Sequence, residues 1–422
     1  MTTSLEAQRD KMFRFELTTQ GPLQELADDV AALVLAHEQR SGSRKRQRRP
    51  ADAKTFKSAV DTIVANLAHY ALFPPEQGRI TLPLGHRKRA TVGRTADGFG
   101  KPLPALLGAL EVVGVATVAK PQEAGYATTI APTAALAAEV RSRGISSPDF
   151  ERRTDLPALV LTRKDQWGRR VHVPVPQTDD AASKAAQVRK FNERLAVAEV
   201  AYAGNQPTDT HDRTLVRRFT LPPSARSPRL AYSGRLFGGF WQQMRRTERR
   251  HIRLGGQWIA ELDYGQMFPR LAYAKVGATP PEGSPYDLPG TEEFTDEQRR
   301  AVKSAFNAFL FKATTMRKWH PDIEQGLPTG WTVGRFKQAM LRKHPLLAPV
   351  LNCGIGYELM YSESEILCRV LERTLLEDCA VLPIHDAVLS PITKTRAIAE
   401  IMVEEAERVV GSRIMVALKP SH

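Results

Sequence analysis

Cysteine is scarce in this chain. The three present, Cys353, Cys368 and Cys379, form no CxxC pair and have no histidines at matching spacing. That pattern argues against a structural zinc and predicts free buried thiols in a reducing cytoplasm. Long apolar runs are missing too: none approaches the roughly 20 residues that span a bilayer. Charged residues interrupt residues 1–16, where a signal peptide would carry an apolar stretch. A soluble, cytoplasmic protein without a membrane partner is expected. Acids are the third shortage, with 46 Asp and Glu against 60 Lys and Arg, for a formal net charge of +14. A basic protein of this size points to a polyanionic partner, with nucleic acid ahead of a membrane surface. The rest of the composition is ordinary for a globular chain, and 422 residues suffice for two or three domains.

Residues 1–50 read as an N-terminal helix (Leu23, Leu26, Val30, Leu33, Val34) and a basic linker. The linker, from Arg40 to Pro50, is too charged and too rich in Gly and Ser to pack. It serves either as an arm for phosphates or as a solvated tether. Residues 51–145 are expected to form a small domain. Phe56, Val60, Ile63, Val64 and Leu67 fall at helical spacing, Ile80–Leu84 is a short strand, and Leu103–Val113 is a second helix. Two alternating strands then lie between Gly114 and Ile130. This is the element order of a winged helix, and the basic residues His86, Arg87, Lys88, Arg89 and Arg94 tilt it towards DNA. Residues 151–212 predict a hairpin, Leu159–Thr162 with Val171–Val175, and a helix capped at Asp179 that runs to Ala201. This segment is either a thumb-like element or a structural bridge.

Residues 213–422 carry the chemistry. Between Arg213 and Arg253 stand eleven arginines, no lysine and one acid, Glu248. Phe219, Tyr232, Phe237, Phe240 and Trp241 are interleaved with them, a mixture suited to phosphate contact and base stacking. Arg245, Arg246, Arg249 and Arg250 are its densest cluster and are expected to bind nucleic acid. Further on, two apolar strand-like runs each end on a carboxylate, Asp263 and Asp386. Two acids brought together repel unless cations lie between them, and two carboxylates sharing a pair of Mg²⁺ ions is an arrangement used for nucleotidyl transfer. Between them, Arg299, Arg300 and Lys303 put cations on one side of a predicted helix, as a triphosphate would require. A second helix over Tyr357–Leu371 carries Glu358, Glu363 and Glu365. These acids either support the metal site or, as is commoner, form a solvated polar face.

Four motifs occur in order: Ser233-Gly234-Arg235-Leu236, Asp263-Tyr264-Gly265-Gln266-Met267-Phe268-Pro269-Arg270, Arg299-x3-Lys303-x7-Phe311 and Ile384-His385-Asp386. In that order they resemble the polymerase domain of family A DNA polymerases and their single-subunit RNA polymerase relatives. The resemblance covers about residues 213–420. It implies an α+β fold with a right-hand palm, to which the N-terminal winged-helix region is added. The intervals of 36 residues from Asp263 to Arg299 and 83 from Lys303 to Asp386 imply reduced fingers. By the same resemblance Asp263 and Asp386 ligate two Mg²⁺ ions, for which Mn²⁺ can substitute. Arg299 and Lys303 meet the β- and γ-phosphates, and Lys303 protonates the leaving group. Phe311 stacks near the incoming base, with Tyr264 and Gln266 beside the nucleotide. Arg235 and His385 touch the primer end of the duplex, and Gln242 and Gln243 are candidate template-primer contacts.

The chain departs from the family pattern at several positions. Phe268 stands where the DNA enzymes carry a glutamate that blocks a ribose 2′-hydroxyl, and its bulk implies the same exclusion. Pro269 follows it, Lys312 replaces a glycine, and Ala387 replaces a frequent glutamate. The expected activity is a small DNA polymerase without proofreading, acting on a DNA primer-template with nucleoside triphosphates in a plasmid or phage setting. The alternatives are a single-subunit RNA polymerase or primase on the same fold, and a DNA-binding replication initiator without catalysis.

Overall fold

The computed structural model describes residues 10–44, 46–74, 78–82, 99–120, 127–153, 157–165, 168 and 170–419. The chain divides into two units: residues 1–156 with 205–211, and residues 157–204 with 212–422. The N-terminal helix and residues 51–145, expected as separate domains, therefore share one unit. Most of the hairpin and helix expected over 151–212 belongs with the C-terminal unit.

The first unit contains β1 (Lys11–Met12), β2 (Leu17–Thr19), α1 (Gly21–Ser41), α2 (Pro50–Leu72), β3 (Ile80–Leu82), α3 (Leu103–Val112), β4 (Ala116–Ala119), β5 (Thr128–Pro132), α4 (Ala134–Ser142) and β6 (Phe150–Arg152). Leu23, Leu26, Val30 and Val34 recur along α1 and bury against Val60, Ile63, Val64 and Leu67 of α2. The basic linker is held more closely than a tether. Arg44 and Arg48 both pair with Glu38, at 3.3 and 2.6 Å, and the Arg48 guanidinium lies 3.9 Å from the centre of the Phe56 ring. The small sheet runs β1-β3-β5-β4 and includes the expected β4–β5 hairpin. Residues 86–89 and Arg94, which pointed the winged-helix reading at DNA, lie outside the described residues. Asp209 secures residues 205–211 to this unit by accepting from Arg152 at 2.9 Å and pairing with His69 at 3.2 Å.

The second unit contains β7 (Leu159–Lys164), β8 (Arg170–Val173), α5 (Asp179–Val197), β9 (Val200–Tyr202), β10 (Leu215–Leu221), β11 (Ser233–Gly238), α6 (Phe240–Gln243), α7 (Arg246–Arg249), β12 (Ile252–Leu254), β13 (Gln257–Tyr264), α8 (Met267–Lys275), α9 (Asp296–Phe311), α10 (Pro321–Gly326), α11 (Val333–Lys343), α12 (Gly356–Leu376), β14 (Leu382–Ile384), β15 (Ala387–Pro391), α13 (Thr395–Val410) and β16 (Val416–Lys419). One sheet runs β11-β10-β7-β8. The other runs β14-β15-β13-β12-β9, with β16 also paired to β13. β12 pairs with the start of β13 and β16 with its end, while β15 covers the opposite edge. Helix α5 is capped by the Thr178 hydroxyl, not by Asp179, which sits in the first turn and complements the helix dipole. The mixed α+β class agrees with expectation. Cys368 and Cys379 are buried as expected, but Cys353 is exposed.

The arginine run is not one surface. Arg217 is fully buried and donates to Gly234 O at 2.8 Å, Ser364 Oγ at 3.1 Å and Glu365 at 2.5 Å. Arg213 donates to the Leu195 carbonyl at 3.0 Å from a buried position. Phe219, Tyr232, Phe240 and Trp241 are core residues, so they cannot stack on bases. Alternation on β10 turns Leu215, Arg217 and Phe219 inward together, and the guanidinium is tolerated there because its donors are met by hydrogen-bond acceptors.

Candidate acidic centre

Strand β13 runs Gln-Trp-Ile-Ala-Glu-Leu-Asp-Tyr, with Leu262 and Tyr264 buried on either side of Asp263. Asp263 pairs across the sheet with Ala387, the residue after Asp386. The Tyr264 amide donates to the Asp386 carbonyl at 3.2 Å. Asp386 sits in the two-residue turn between β14 and β15, and the other turn residue, His385, adopts φ +50°. Two acids 123 positions apart in the chain thus become neighbours, one on β13 and the other in the turn that leads into the strand paired with it. Trp241 Nε1 and Gln242 Nε2 both donate to the Pro383 carbonyl, at 2.8 and 2.9 Å, and fix the hairpin that carries Asp386. Gln242 is thereby a structural anchor and not a template contact.

Backbone strain gathers around this centre. Five described non-glycine residues have positive φ, and three of them, Ser233, Gln266 and His385, fall inside the four sequence motifs. Gly234, at φ +79°, follows Ser233, and a Cβ there would meet Ser364 Oγ at 2.8 Å and the Phe219 ring at 2.9 Å. The tight passage turns Arg235 towards α12.

Arg235 grips Glu363 with two nitrogens, at 2.7, 2.9 and 3.1 Å. Glu363 is 1% exposed. Burial, with Asp386 and Asp263 nearby, pushes its carboxyl up to about 7 against the pull of Arg235. Burial also raises Asp263, helped by Asp386 and Glu261 and opposed by Lys419, whose Nζ lies 2.5 Å from Asp263 Oδ2. His385 is held below its usual value by burial and by Arg235, with Asp386 opposing. The electrostatics therefore report one shared field around Asp263, Asp386 and Glu363.

An aromatic wall adjoins the acids. The Arg235 guanidinium lies 5.7 Å from the centre of the Phe268 ring, which meets Phe311 edge-on at 5.4 Å. Phe311 in turn meets Tyr357 at 5.8 Å, and Phe237 meets His385 at 5.2 Å. The structure thus brings together Asp263, Asp386, Arg235, His385, Phe268 and Phe311.

The other expected site residues are engaged elsewhere or exposed. Tyr264 is buried on the opposite side of β13 from Asp263 and donates to the Met402 carbonyl at 2.5 Å, so it is unavailable to a nucleotide. Gln266 begins α8 and accepts from Arg270 at 3.3 Å. Arg299, in the first turn of α9, is held by Asp287 and by the carbonyls of Glu292 and Phe294, each at 3.1 Å. Lys303 is exposed one turn on, with no ion-pair partner among the described residues. Arg246 and Arg249 approach Glu261 at 3.9 and 3.6 Å, and Arg245 and Arg250 are exposed.

Lys419 was missed as a site residue, and Glu363 was read only as one of three helix acids that either support the metal site or face solvent. The signal for Glu363 was present, because it falls on the stripe Leu359, Glu363, Ile366, Val370, where α12 is buried. A charge on an apolar stripe needs a partner, and Arg235 is that partner. Lys419 had no local signal, since strand pairing alone brings it to Asp263.

The donor set fits a hard divalent cation: two neighbouring carboxylates, Asp263 and Asp386, the first raised by burial and further by the second. Among the described residues no group of three or more His, Cys, Asp or Glu is placed to hold a metal, so protein ligands would come from this pair and the remaining positions from water or substrate. No helix among the described residues is long and apolar enough to cross a membrane. No family model matches the chain, and no curated protein matches it. Among solved structures there is a similarity to the POL domain of Pol1 from M. smegmatis in complex with DNA primer-template and dNTP. The identity is 11% and the TM-score 0.32, over 96% of this chain and 66% of that one. This chain spans just under two thirds of that domain's length.

Proposed function

We propose that the second unit is a template-directed nucleotidyltransferase of the family A type, a small DNA polymerase that extends a primer with deoxynucleotides. The observation that supports it most is that Asp263 on β13 lies beside the β14–β15 turn that carries Asp386, each acid following an apolar run. In this reading β13, β15 and β14 form the palm and α9 a short fingers helix. The first unit, with its helix, strand, helix and hairpin, is an added winged-helix-like DNA-binding region. Asp263 and Asp386 would hold Mg²⁺, or Mn²⁺ in its place, which when bound supplies charge compensation for the attacking hydroxyl and the triphosphate.

The chain's own groups position the reactants. Phe268, backed by Phe311 and Tyr357, offers an apolar wall that a 2′-hydroxyl could not join by hydrogen bonding, which favours deoxyribose. Arg235, locked by Glu363, presents a fixed cation beside the acids for the primer end, with His385 next to it. Lys303 projects from α9 without an ion-pair partner among the described residues, free to meet a triphosphate and pass a proton to the departing pyrophosphate. Arg299 joins it only by leaving Asp287. Arg245, Arg246, Arg249 and Arg250 form the basic margin that follows the duplex backbone.

Extension of a labelled primer with dNTPs or NTPs, using wild type, Asp263→Asn and Asp386→Asn, tests the proposal. Mg²⁺-dependent dNTP incorporation that either substitution reduces at least a hundredfold is expected. Efficient unprimed use of NTPs would favour an RNA polymerase or primase. DNA binding without incorporation on any template would make the protein a non-catalytic replication initiator.

A further inference from the structure

We propose that Lys419 sets the divalent-cation affinity of the acidic centre by occupying Asp263 whenever no cation is bound. This deepens the function proposed above and rests on Asp263 being a cation ligand. Strand β16 pairs antiparallel with β13, in a register that places Lys419 opposite Glu261 and Ala417 opposite Asp263. The Lys419 side chain nevertheless leans diagonally, so that Nζ lies 2.5 Å from Asp263 Oδ2 and 3.7 Å from Glu261 Oε1. Arg249 and Arg246 already approach Glu261, at 3.6 and 3.9 Å. Glu261 therefore has cations without Lys419, and Asp263 is the carboxylate that Lys419 chiefly serves.

The ammonium stands on an oxygen that the aspartate needs to bind a cation. An ammonium and a dication on one carboxylate repel each other strongly at these distances. Binding therefore requires Lys419 to withdraw. Its flexible four-carbon stem allows that movement, which a rigid guanidinium fork would make harder. Glu261 offers a second seat close by, so the lysine exchanges one carboxylate for another without losing all compensation. With the Lys419 side chain 34% exposed and that of Asp263 16%, the pair is only partly screened by water. The residue thus acts as an internal counter-ion that keeps two acids tolerable together in the empty site and weakens the site for cations.

Mn²⁺ binding to the full-length protein, followed by electron paramagnetic resonance without nucleotide or DNA, tests this. Lys419→Gln and Lys419→Ala are expected to bind Mn²⁺ about tenfold more tightly than wild type, since one unit of competing charge is gone. Lys419→Arg, which keeps the charge, should stay near wild type or weaken. Asp263→Asn should abolish the Mn²⁺ site and so identifies it. Melting curves confirm that each variant is folded, and two neutral replacements guard against a failure of one. Equal or weaker Mn²⁺ binding in a folded neutral variant overturns the role of Lys419 while leaving the cation site intact. Absence of any Mn²⁺ site sensitive to Asp263→Asn overturns both the inference and the metal assignment beneath it.

Discussion

Arg235 and Glu363 form the most demanding pair in the molecule. The glutamate is almost completely out of water, and its partner comes from a strand 128 positions earlier. A buried pair of this kind adds little net stability, because both charges lose hydration, yet removing one partner strands the other. Glu363→Ala should therefore cost about 3 kcal/mol, and Arg235→Ala a similar amount. The double variant should cost far less than twice that, since neither charge is then left alone. Urea unfolding of the four proteins measures this, and additive costs would show that the pair is not coupled. The same residues explain how much of the site was legible. Asp263, Asp386, Arg235, His385, Phe268 and Phe311 stood in motifs and converge. Tyr264 belongs to a motif too, but strand alternation turns its side chain away from Asp263, and a motif read as a string does not register which face each residue takes.

At the level of elements, α9 was read from the spacing of its cations and α12 from apolar period over Tyr357–Leu371, and the structure extends the latter to Gly356–Leu376. The apolar run that forms β14 was visible, but neither the turn that carries Asp386 into β15 nor its support, which comes from Trp241 and Gln242 on a distant helix. The arginine run misled because composition cannot separate buried from exposed guanidinium groups. Arg217 finds Ser364 and Glu365 nearly 150 positions on, a partnership with no local trace. The Trp241 hydrogen bond gives an element-scale prediction. Trp241→Phe keeps most of the packing and removes the indole N–H, so it should cost about 1–2 kcal/mol. Because Pro383 precedes Ile384-His385-Asp386, primer extension should fall more than the stability loss alone accounts for. Equal activity per folded molecule would show that the anchor does not position Asp386.

On the scale of the whole chain, its basic balance and its division into two units make separate predictions. Binding to duplex DNA should weaken with salt, and replacing Arg245, Arg246, Arg249 and Arg250 by alanine should flatten the slope of log K against log salt by about 0.9 for each phosphate no longer neutralised. An unchanged slope in a filter-binding series would remove that cluster from the interface. The first unit answers instead to pH. Burial holds His69 below its ordinary value, with Asp209 partly opposing and Arg14 and Lys11 reinforcing. The folded state thus prefers a neutral imidazole, so this contribution is complete above about 6.5 and is lost as pH falls through the lower folded value. Asp209 is also depressed, below the carboxylate range, so its own contribution is constant from about pH 5.5 to 7.5. All five tryptophans lie beyond residue 156 and report only the second unit. Amide exchange over residues 60–72, corrected for its intrinsic pH dependence, therefore reports the first. Protection there should drop as pH falls below about 6.5, by up to about 1.4 kcal/mol per pH unit, and His69→Gln should shrink that drop because no proton is then taken up. An equal drop in the variant would place the pH sensitivity elsewhere in the unit.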